Sequence, residues 1–286
     1  MKGIVLAGGK GTRLYPITRS ISKHLLPVYD KPMIYYPISI LMLSGIKDIM
    51  IISDPAYIIQ YKDLLGNGSS FGVNFTYKEQ QEPKGIADAF LLAEDFIGSE
   101  KVALILGDNI FYGQGISSML QSSFNSDFGA ELYAYAVNDP QNFGVIEFEN
   151  DVPVSIVEKP TDPISNLAVT GLYFYDNSVV SKAKKIKPSH RGELEITDIN
   201  KLYLSEKNIK VNRLGRGFTW LDSGSPEGLI DASTFVHTIQ KRQGYQIACL
   251  EEIALIKGWI NKKNIKMKIG NEIKTKYDLY LNELIK

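Results

Sequence analysis

Apolar positions along this chain fall into two kinds of run. Ile4-Val5-Leu6, the stretch Lys47 to Ser53 (KDIMIIS) and Val102 to Leu106 (VALIL) are short, nearly unbroken and bounded by glycine or polar residues. Such runs predict strands buried on both faces. Between them lie stretches with helical spacing: Met33 to Leu43, closed by Ser44-Gly45; Ala56 to Leu65, closed by Gly66-Asn-Gly68; and Ile86 to Phe96. A glycine just past the last apolar position is a helix stop. Val73 to Glu79 alternates like a strand. Strand, helix, strand, helix at this spacing predicts a parallel sheet with helices on both faces.

Past Gly115 the pattern loosens. Glu131 to Val137, Gly144 to Glu149 and the aromatic-rich Val169 to Tyr175 read as strands, and a short Val-rich strand runs up to Glu158. Ile196 to Ser205 reads as a helix, Phe218 to Leu221 as a short strand, and Pro226 to Gln243 as a long helix with Ser225 as its N-cap. From Leu250 the tail reads as helical, with Lys262, Lys263, Lys266 and Lys268 forming a solvated face. No repeat of fixed period is present.

Composition narrows the function. The 286 residues are 44% hydrophobic and 22% charged, which is ordinary for a soluble globular chain. Lys plus Arg and Asp plus Glu each number 32, so any affinity for phosphates must be local, and neither a nucleic-acid surface nor a basic membrane patch is expected. No apolar run approaches a membrane span, and the chain enters a strand at once with no signal peptide in front. The single cysteine, Cys249, excludes an internal disulfide, reads as a small core residue and fits a reducing compartment, so the cytoplasm is the expected location.

The strongest chemical signal follows the first strand: Gly8-Gly9-Lys10-Gly11-Thr12-Arg13. Closely spaced glycines let a backbone turn sharply and approach a ligand. Their amides can converge on an anion, and Arg13 adds a planar cationic fork suited to phosphate. The dinucleotide and P-loop fingerprints are both absent, and on the glycines alone a plain turn is the commoner reading. Asp108 stands at the carboxyl end of the VALIL strand, where open α/β sheets bind ligands; a lone aspartate there also suits a turn. His24 and His190 have no metal-ligand spacing, and no serine-hydrolase or Cys/His arrangement is present.

The longer run, L-A-G-G-x-G-T-R-L-x-P followed by x-x-x-K-x-L-L-P-V, resembles the nucleotidyl-binding signature of the sugar-1-phosphate nucleotidylyltransferases. Leu106-Gly107-Asp108-Asn109 and Trp220-Leu221-Asp222-Ser223-Gly224 resemble that family's two metal motifs, and Arg191-Gly-Glu-Leu-Glu195-Ile-Thr-Asp198 resembles a run of its thymidylyl-transferring branch. The resemblance covers residues 1 to about 258. It implies a Rossmann-like, mostly parallel mixed sheet flanked by helices over residues 1–249, with a helical tail, residues 250–286, packed on the same domain. It also implies transfer of a nucleotidyl group from dTTP to glucose 1-phosphate in an enzyme that is commonly a homotetramer. The rivals are a UTP-using relative and a sensor without catalysis.

Residue by residue, the resemblance implies the following. Mg²⁺ would be held by Asp108 and Asp222. Arg13 and Lys23 would neutralise the phosphates, with Leu6, Gly8, Gly9, Gly11 and Thr12 around the nucleotide. Gln80 and Gly85 would hold the base. Asn109, Phe143, Gly144, Glu158, Val169, Thr170 and Arg191 would line the sugar site, with Arg191 near the nucleotide as an alternative, and Lys159 would hold the sugar phosphate. Phe143 replaces the family's commoner Tyr and loses its hydroxyl. On its own, a Glu-Lys pair such as Glu158-Lys159 is a surface pair, and Glu195 suits a first helical turn. A second, regulatory nucleotide site would match Gly115, Arg216, Gly217, Glu252, Ile253 and Lys257, the last replacing an Arg common in relatives; the alternative is a plain helix start and surface loop.

Overall fold

The computed structural model describes residues 1–270 and 272–286. Strand β1 (Lys2–Ala7) leads into a small hairpin of β2 (Pro27–Val28) and β3 (Lys31–Pro32), then helix α1 (Tyr35–Leu43), β4 (Asp48–Ser53), α2 (Ile58–Leu65) and β5 (Asn74–Glu79). Helices α3 (Asp88–Leu92) and α4 (Glu94–Ile97), strands β6 (Val102–Leu106) and β7 (Asn109–Gly113) and helix α5 (Ile116–Phe124) complete the first half. The second half runs β8 (Ala130–Ala136), β9 (Gly144–Glu149), β10 (Val152–Glu158), β11 (Leu167–Tyr175), α6 (Ser178–Ala183), α7 (Ile196–Ser205), β12 (Ile209–Arg213), β13 (Phe218–Asp222) and α8 (Pro226–Gln243). The tail is α9 (Leu250–Ile256), α10 (Lys262–Ile269) and α11 (Lys276–Leu284).

Nine strands form one mixed sheet, in the order β10-β9-β11-β6-β1-β4-β5, with β8 on β11 and β12 on β8. The β6-β1-β4-β5 segment is parallel throughout. Ile4, Met50, Ile52, Val102 and Leu104 pack on one face, and Val5, Ile49, Ile51, Ala103 and Ile105 on the other. Both faces are covered, which is why these strands read as near-continuous apolar runs. In the other half β11 is antiparallel to β6 and β8, and its register breaks between Val169 and Tyr173. Among the described residues, no helix is long and apolar enough to cross a membrane.

Three readings are corrected. The single helix expected over Ile86 to Phe96 divides at Ala93, whose N–H bonds the carbonyls of both Ala89 and Leu91 in a tightened turn. The loosened stretch after Gly115 holds α5, whose Ile116, Met119, Leu120 and Phe124 do keep helical spacing among four serines. Strands β7 and β12 and helix α6 had no counterpart in the sequence reading. Lys262, Lys263, Lys266 and Lys268 are all exposed, and the Lys268 ammonium also pairs with the buried Glu251, which accepts the Tyr277 hydroxyl at 2.6 Å. Leu250, Ile253 and Ala254 of α9, Ile265 and Ile269 of α10 and Leu281 of α11 share one buried cluster with Val5 and Leu41.

Candidate active site

The parallel strands deliver their ends to one edge of the sheet. Gly8 follows β1, Gln80 follows β5 and Asp108 follows β6, so the glycine loop, the Gln80 loop and one aspartate meet where ligands of open α/β sheets bind. Gly11 has φ +60, a conformation glycine adopts at little cost, and its carbonyl accepts the Thr18 hydroxyl at 2.8 Å.

The second aspartate arrives by a different route. Strand β13 pairs antiparallel with β7, and that register sets Asp222 opposite Asn109. Ser223 then donates its N–H (3.0 Å) and its hydroxyl (2.7 Å) to the Asp108 carbonyl. Gly224 shows how tightly the carboxylates converge. A Cβ there would stand 2.9 Å from Asp108 Oδ2, 2.9 Å from Asp222 Oδ1 and 2.7 Å from Arg13 Nη2. The Lys23 ammonium sits on Asp108 Oδ2, and Arg13 reaches Asp222 at 3.7 Å.

Their electrostatics differ. Burial alone would raise the Asp108 carboxyl, but Lys23 and the Asn109 amide outweigh it and hold Asp108 below the usual carboxylate range. Burial and the neighbouring Asp108 charge push Asp222 up. Asn109 acts in support: it donates to Asp108 at 3.0 Å and accepts from Gly171 N–H (3.1 Å) and the Trp220 indole (2.7 Å). His24, drawn down to about 3 mainly by burial, is neutral and packs against Gly107.

A pocket of about 170 Å³ opens at the glycine loop, lined by Leu6, Gly8, Gly9, Gln80, Gly85 and Glu193, among others. Gly85 has φ +102, and a Cβ there would collide with the Leu194 backbone. That close fit is fixed by Leu194 N–H donating to the Lys84 carbonyl (2.7 Å) and Ala87 N–H to the Leu194 carbonyl (3.2 Å).

Several of the residues expected at the sugar gather around the end of β10. Glu158 accepts the Thr197 hydroxyl at 2.5 Å, and Gly144 lies against both, its Cβ position 3.1 Å from Thr197 Oγ1. Lys159 stands exposed at φ +41, with its N–H on the Phe143 carbonyl at 2.9 Å. Phe143 packs on Trp220 with ring centroids 5.1 Å apart. Val169 and Thr170 are buried where β11 breaks register, and the Thr170 hydroxyl has no partner among the described residues.

A model of the nucleotidyl transferase family matches residues 2–239. The chain belongs to the nucleotidyl transferase family. A glucose-1-phosphate thymidylyltransferase of Neisseria gonorrhoeae is 54% identical over all of this chain and 99% of its own length. One of Mycolicibacterium smegmatis is 49% identical with the same coverage. A Bacillus anthracis structure described as a glucose-1-phosphate thymidylyltransferase, in complex with sucrose, superposes with TM-score 0.77 at 45% identity, covering 82% of this chain and 94% of its own. A UDP-glucose pyrophosphorylase bound to UDP-glucose reaches TM-score 0.72 at 27% identity, covering 83% and 98%. By full-length identity this nucleotidyl transferase is an enzyme that groups with the glucose-1-phosphate thymidylyltransferases.

In this nucleotidyl transferase Arg191 lies among three carboxylates, 2.8 Å from Glu195, 3.3 Å from Glu193 and 3.5 Å from Glu158. It therefore ties Glu193, which lines the 170 Å³ pocket, to Glu158 at the end of β10. Glu195, read as a first-turn acid, occupies the N-cap of α7 and spends its carboxylate on Arg191 and Ser189.

A second pocket of about 240 Å³ lies between α1, β7 and α9, with Ile40, Leu43, Tyr112, Ile116, Glu252 and Ile253 in its lining. Of the six residues expected at a regulatory site, only Glu252 and Ile253 line it. Gly115 caps the neighbouring α5, and Gly217 stands against Gly113 on the pocket wall. Lys257 donates to the Leu43 carbonyl at 2.9 Å, capping α1. Sequence reasoning missed Asp88, Thr197, Glu193 and Trp220, which touch the candidate site through Gln80, Glu158, the 170 Å³ pocket and Asn109; the W-L-D-S-G and R-G-E-L-E-I-T-D runs that contain three of them were the available signal.

Proposed function

We propose that this enzyme transfers the thymidylyl group of dTTP to α-D-glucose 1-phosphate, releasing pyrophosphate and dTDP-glucose, with Mg²⁺ as cofactor. The observation that carries the reading is the convergence of Asp108 and Asp222 on the space beside Gly224, with Lys23 and Arg13 at its edge. Two hard oxygen donors fit Mg²⁺, which takes one or two carboxylates and completes its shell from phosphates and water. The upward push on Asp222 by Asp108 is the repulsion that a divalent cation relieves. Bound there, the ion would neutralise charge at the α-phosphate.

The rest is positioning. A sugar-phosphate oxygen attacks the α-phosphorus in line; that P–O bond forms as the bond to the pyrophosphate oxygen breaks. The attacking phosphate is already ionised, so no strong base is required. Lys159 holds it, and its left-handed backbone is the kind of local strain that clusters at functional sites. Arg13, Lys23 and the loop amides of Gly8 to Gly11 bind the triphosphate. Gln80 and Gly85 hold the base, Glu158 and Gly144 the sugar.

We further propose that the product feeds dTDP-rhamnose or related deoxysugar synthesis in the cytoplasm, and that the enzyme is a homotetramer inhibited by a dTDP-sugar at the second pocket. Exposed Tyr245 and Ile256 in the lining of that pocket support a covered surface there. The test is pyrophosphate release over a matrix of dTTP, UTP, dCTP and ATP against several sugar 1-phosphates, with Mg²⁺ or EDTA. The reading expects dTTP with glucose 1-phosphate to lead and EDTA to abolish turnover. UTP will follow closely, because one methyl is worth only ~1 kcal/mol. No release from any pair would make the chain a non-catalytic sensor.

A further inference from the structure

Asp88 lies outside every motif discussed above, yet it is buried, 9% exposed, and its carboxylate faces the base pocket's own glutamine. Gln80 is itself buried; its backbone N–H is held by the Ser53 carbonyl at 2.8 Å, and its side-chain Nε2 donates to Asp88 Oδ2 at 3.0 Å. A primary amide has a donor end and an acceptor end of nearly equal size, so its orientation is decided by its partner. An ionised carboxylate can only accept. Asp88 therefore draws the NH₂ end to itself and turns the carbonyl end outward. Gln80 Oε1 points away, close enough to Gly8 that a Cβ there would stand 2.5 Å from it, and it accepts no hydrogen bond from the described residues.

We infer that Asp88 is a positioning residue for base selection: by fixing the Gln80 amide it presents a lone carbonyl acceptor to the pocket, which selects a pyrimidine with a ring N3–H over one whose N3 is itself an acceptor. The inference rests on the base-pocket assignment made under the proposed function. Thymine and uracil carry that N–H, and cytosine does not. A site built around one fixed acceptor rejects the mismatched base because two lone pairs then face each other out of water. If the amide turned over freely, its NH₂ would meet cytosine N3 equally well and the selection would fade.

The test uses Asp88→Asn, which keeps shape and a hydrogen bond to Gln80 but can accept or donate. A structural role survives this change; an orienting role does not. Turnover with dTTP, UTP and dCTP is measured for wild type, Asp88→Asn and Gln80→Ala, with thermal melting as the check on folding. In Asp88→Asn the preference for dTTP over dCTP in kcat/KM is expected to fall fivefold or more, through KM, with kcat for dTTP within twofold of wild type. Gln80→Ala is expected to lose the preference as well. If Gln80→Ala loses it and Asp88→Asn keeps it, orientation by Asp88 is overturned. If Gln80→Ala itself discriminates like wild type, the base does not lie at Gln80, and the pocket assignment falls instead. Should Asp88→Asn fail to fold, Asp88→Ala carries the same comparison with the same outcomes.

Discussion

Two pockets of this molecule are similar in size, about 170 Å³ at the glycine loop and about 240 Å³ under α9, but they are built from different materials. The first lies at the carboxyl ends of parallel strands and is walled by glycines, Gln80 and Glu193; the glycine loop that lines it runs on to Arg13, which with Lys23 pairs with the two aspartates. The second is walled by Ile40, Leu43, Phe111, Ile116 and Ile253, with Glu252 its main charge. Burial pushes that carboxyl up, and it accepts the Tyr280 hydroxyl at 2.8 Å. A cleft crowded with opposed charges suits a reaction whose barrier is electrostatic. An apolar pocket with one acidic group suits recognition by shape. The contrast makes a claim: substitutions at the first pocket should change turnover, and those at the second should change only its control.

The sharpest break would come at Asp108. Asp108→Asn keeps the volume and most contacts but removes the charge that sits on Lys23 and faces Asp222. A fall in kcat on the order of a hundredfold or more is expected, since metal-centred charge stabilisation is worth several kcal/mol. Steady-state kinetics across Mg²⁺ concentrations, with circular dichroism to show an intact fold, would check it. Near wild-type turnover would remove Asp108 from the chemistry.

Lys159 comes next and tests whether the catalytic pocket has two separable ends. Lys159→Ala should weaken use of glucose 1-phosphate about tenfold or more, the scale of one charge-assisted hydrogen bond. Binding of dTTP should change little. Separate calorimetric titrations of each ligand would show the split, and equal losses would place Lys159 elsewhere.

At the base end the expected loss comes from shape. Gly85→Ala forces an alanine to φ +102 and drives its Cβ into the Leu194 backbone. The loop and the Arg191 segment must separate, and a rise of about tenfold in KM for dTTP is expected from strain of ~1–3 kcal/mol. Unchanged KM would mean the base does not use this loop.

How much of this was legible beforehand follows the same division. The parallel half of the sheet was read nearly strand for strand, because strands buried on both faces leave unbroken apolar runs. Helix α5 was hidden by Ser117, Ser118, Ser122 and Ser123, although its apolar spacing is intact. Strands β7 and β12 are five residues each, too short for alternation to stand out. In the candidate cleft, residue types that are unusual together, such as closely spaced glycines with Arg13 or an aspartate at a strand end, could be singled out in the sequence. Asp88 did not, because a carboxylate at a helix start is commonplace and its meaning lies in the 3.0 Å contact with Gln80. The second pocket was almost invisible for the same reason: most of its lining consists of ordinary core residues whose meeting only the fold determines.

The smallest expected effect falls at that second pocket and bears on the contrast most directly. Arg216 is exposed on the turn between β12 and β13, next to Gly217, which stands against the Gly113 wall of the pocket. Under the proposed regulation its guanidinium would meet the ligand's phosphates at the rim. Lys257, the other cation expected there, is already spent on the Leu43 carbonyl, and an ammonium lacks the bidentate fork of a guanidinium. Arg216 would then supply most of the local positive charge, in a setting open enough for solvent to screen it. Arg216→Ala is accordingly expected to raise the dTDP-rhamnose concentration for half-inhibition by about three- to fivefold, the weight of one partly screened contact. Both kcat and KM for dTTP without inhibitor should stay within twofold of wild type. The measurement is inhibition by dTDP-rhamnose at several dTTP concentrations, in wild type and variant. Inhibition that is mixed or non-competitive and weakened by Arg216→Ala would assign control to the second pocket. Inhibition that is purely competitive and indifferent to Arg216 would return the nucleotide-sugar to the catalytic cleft as a simple product, and leave the apolar pocket as a surface for packing.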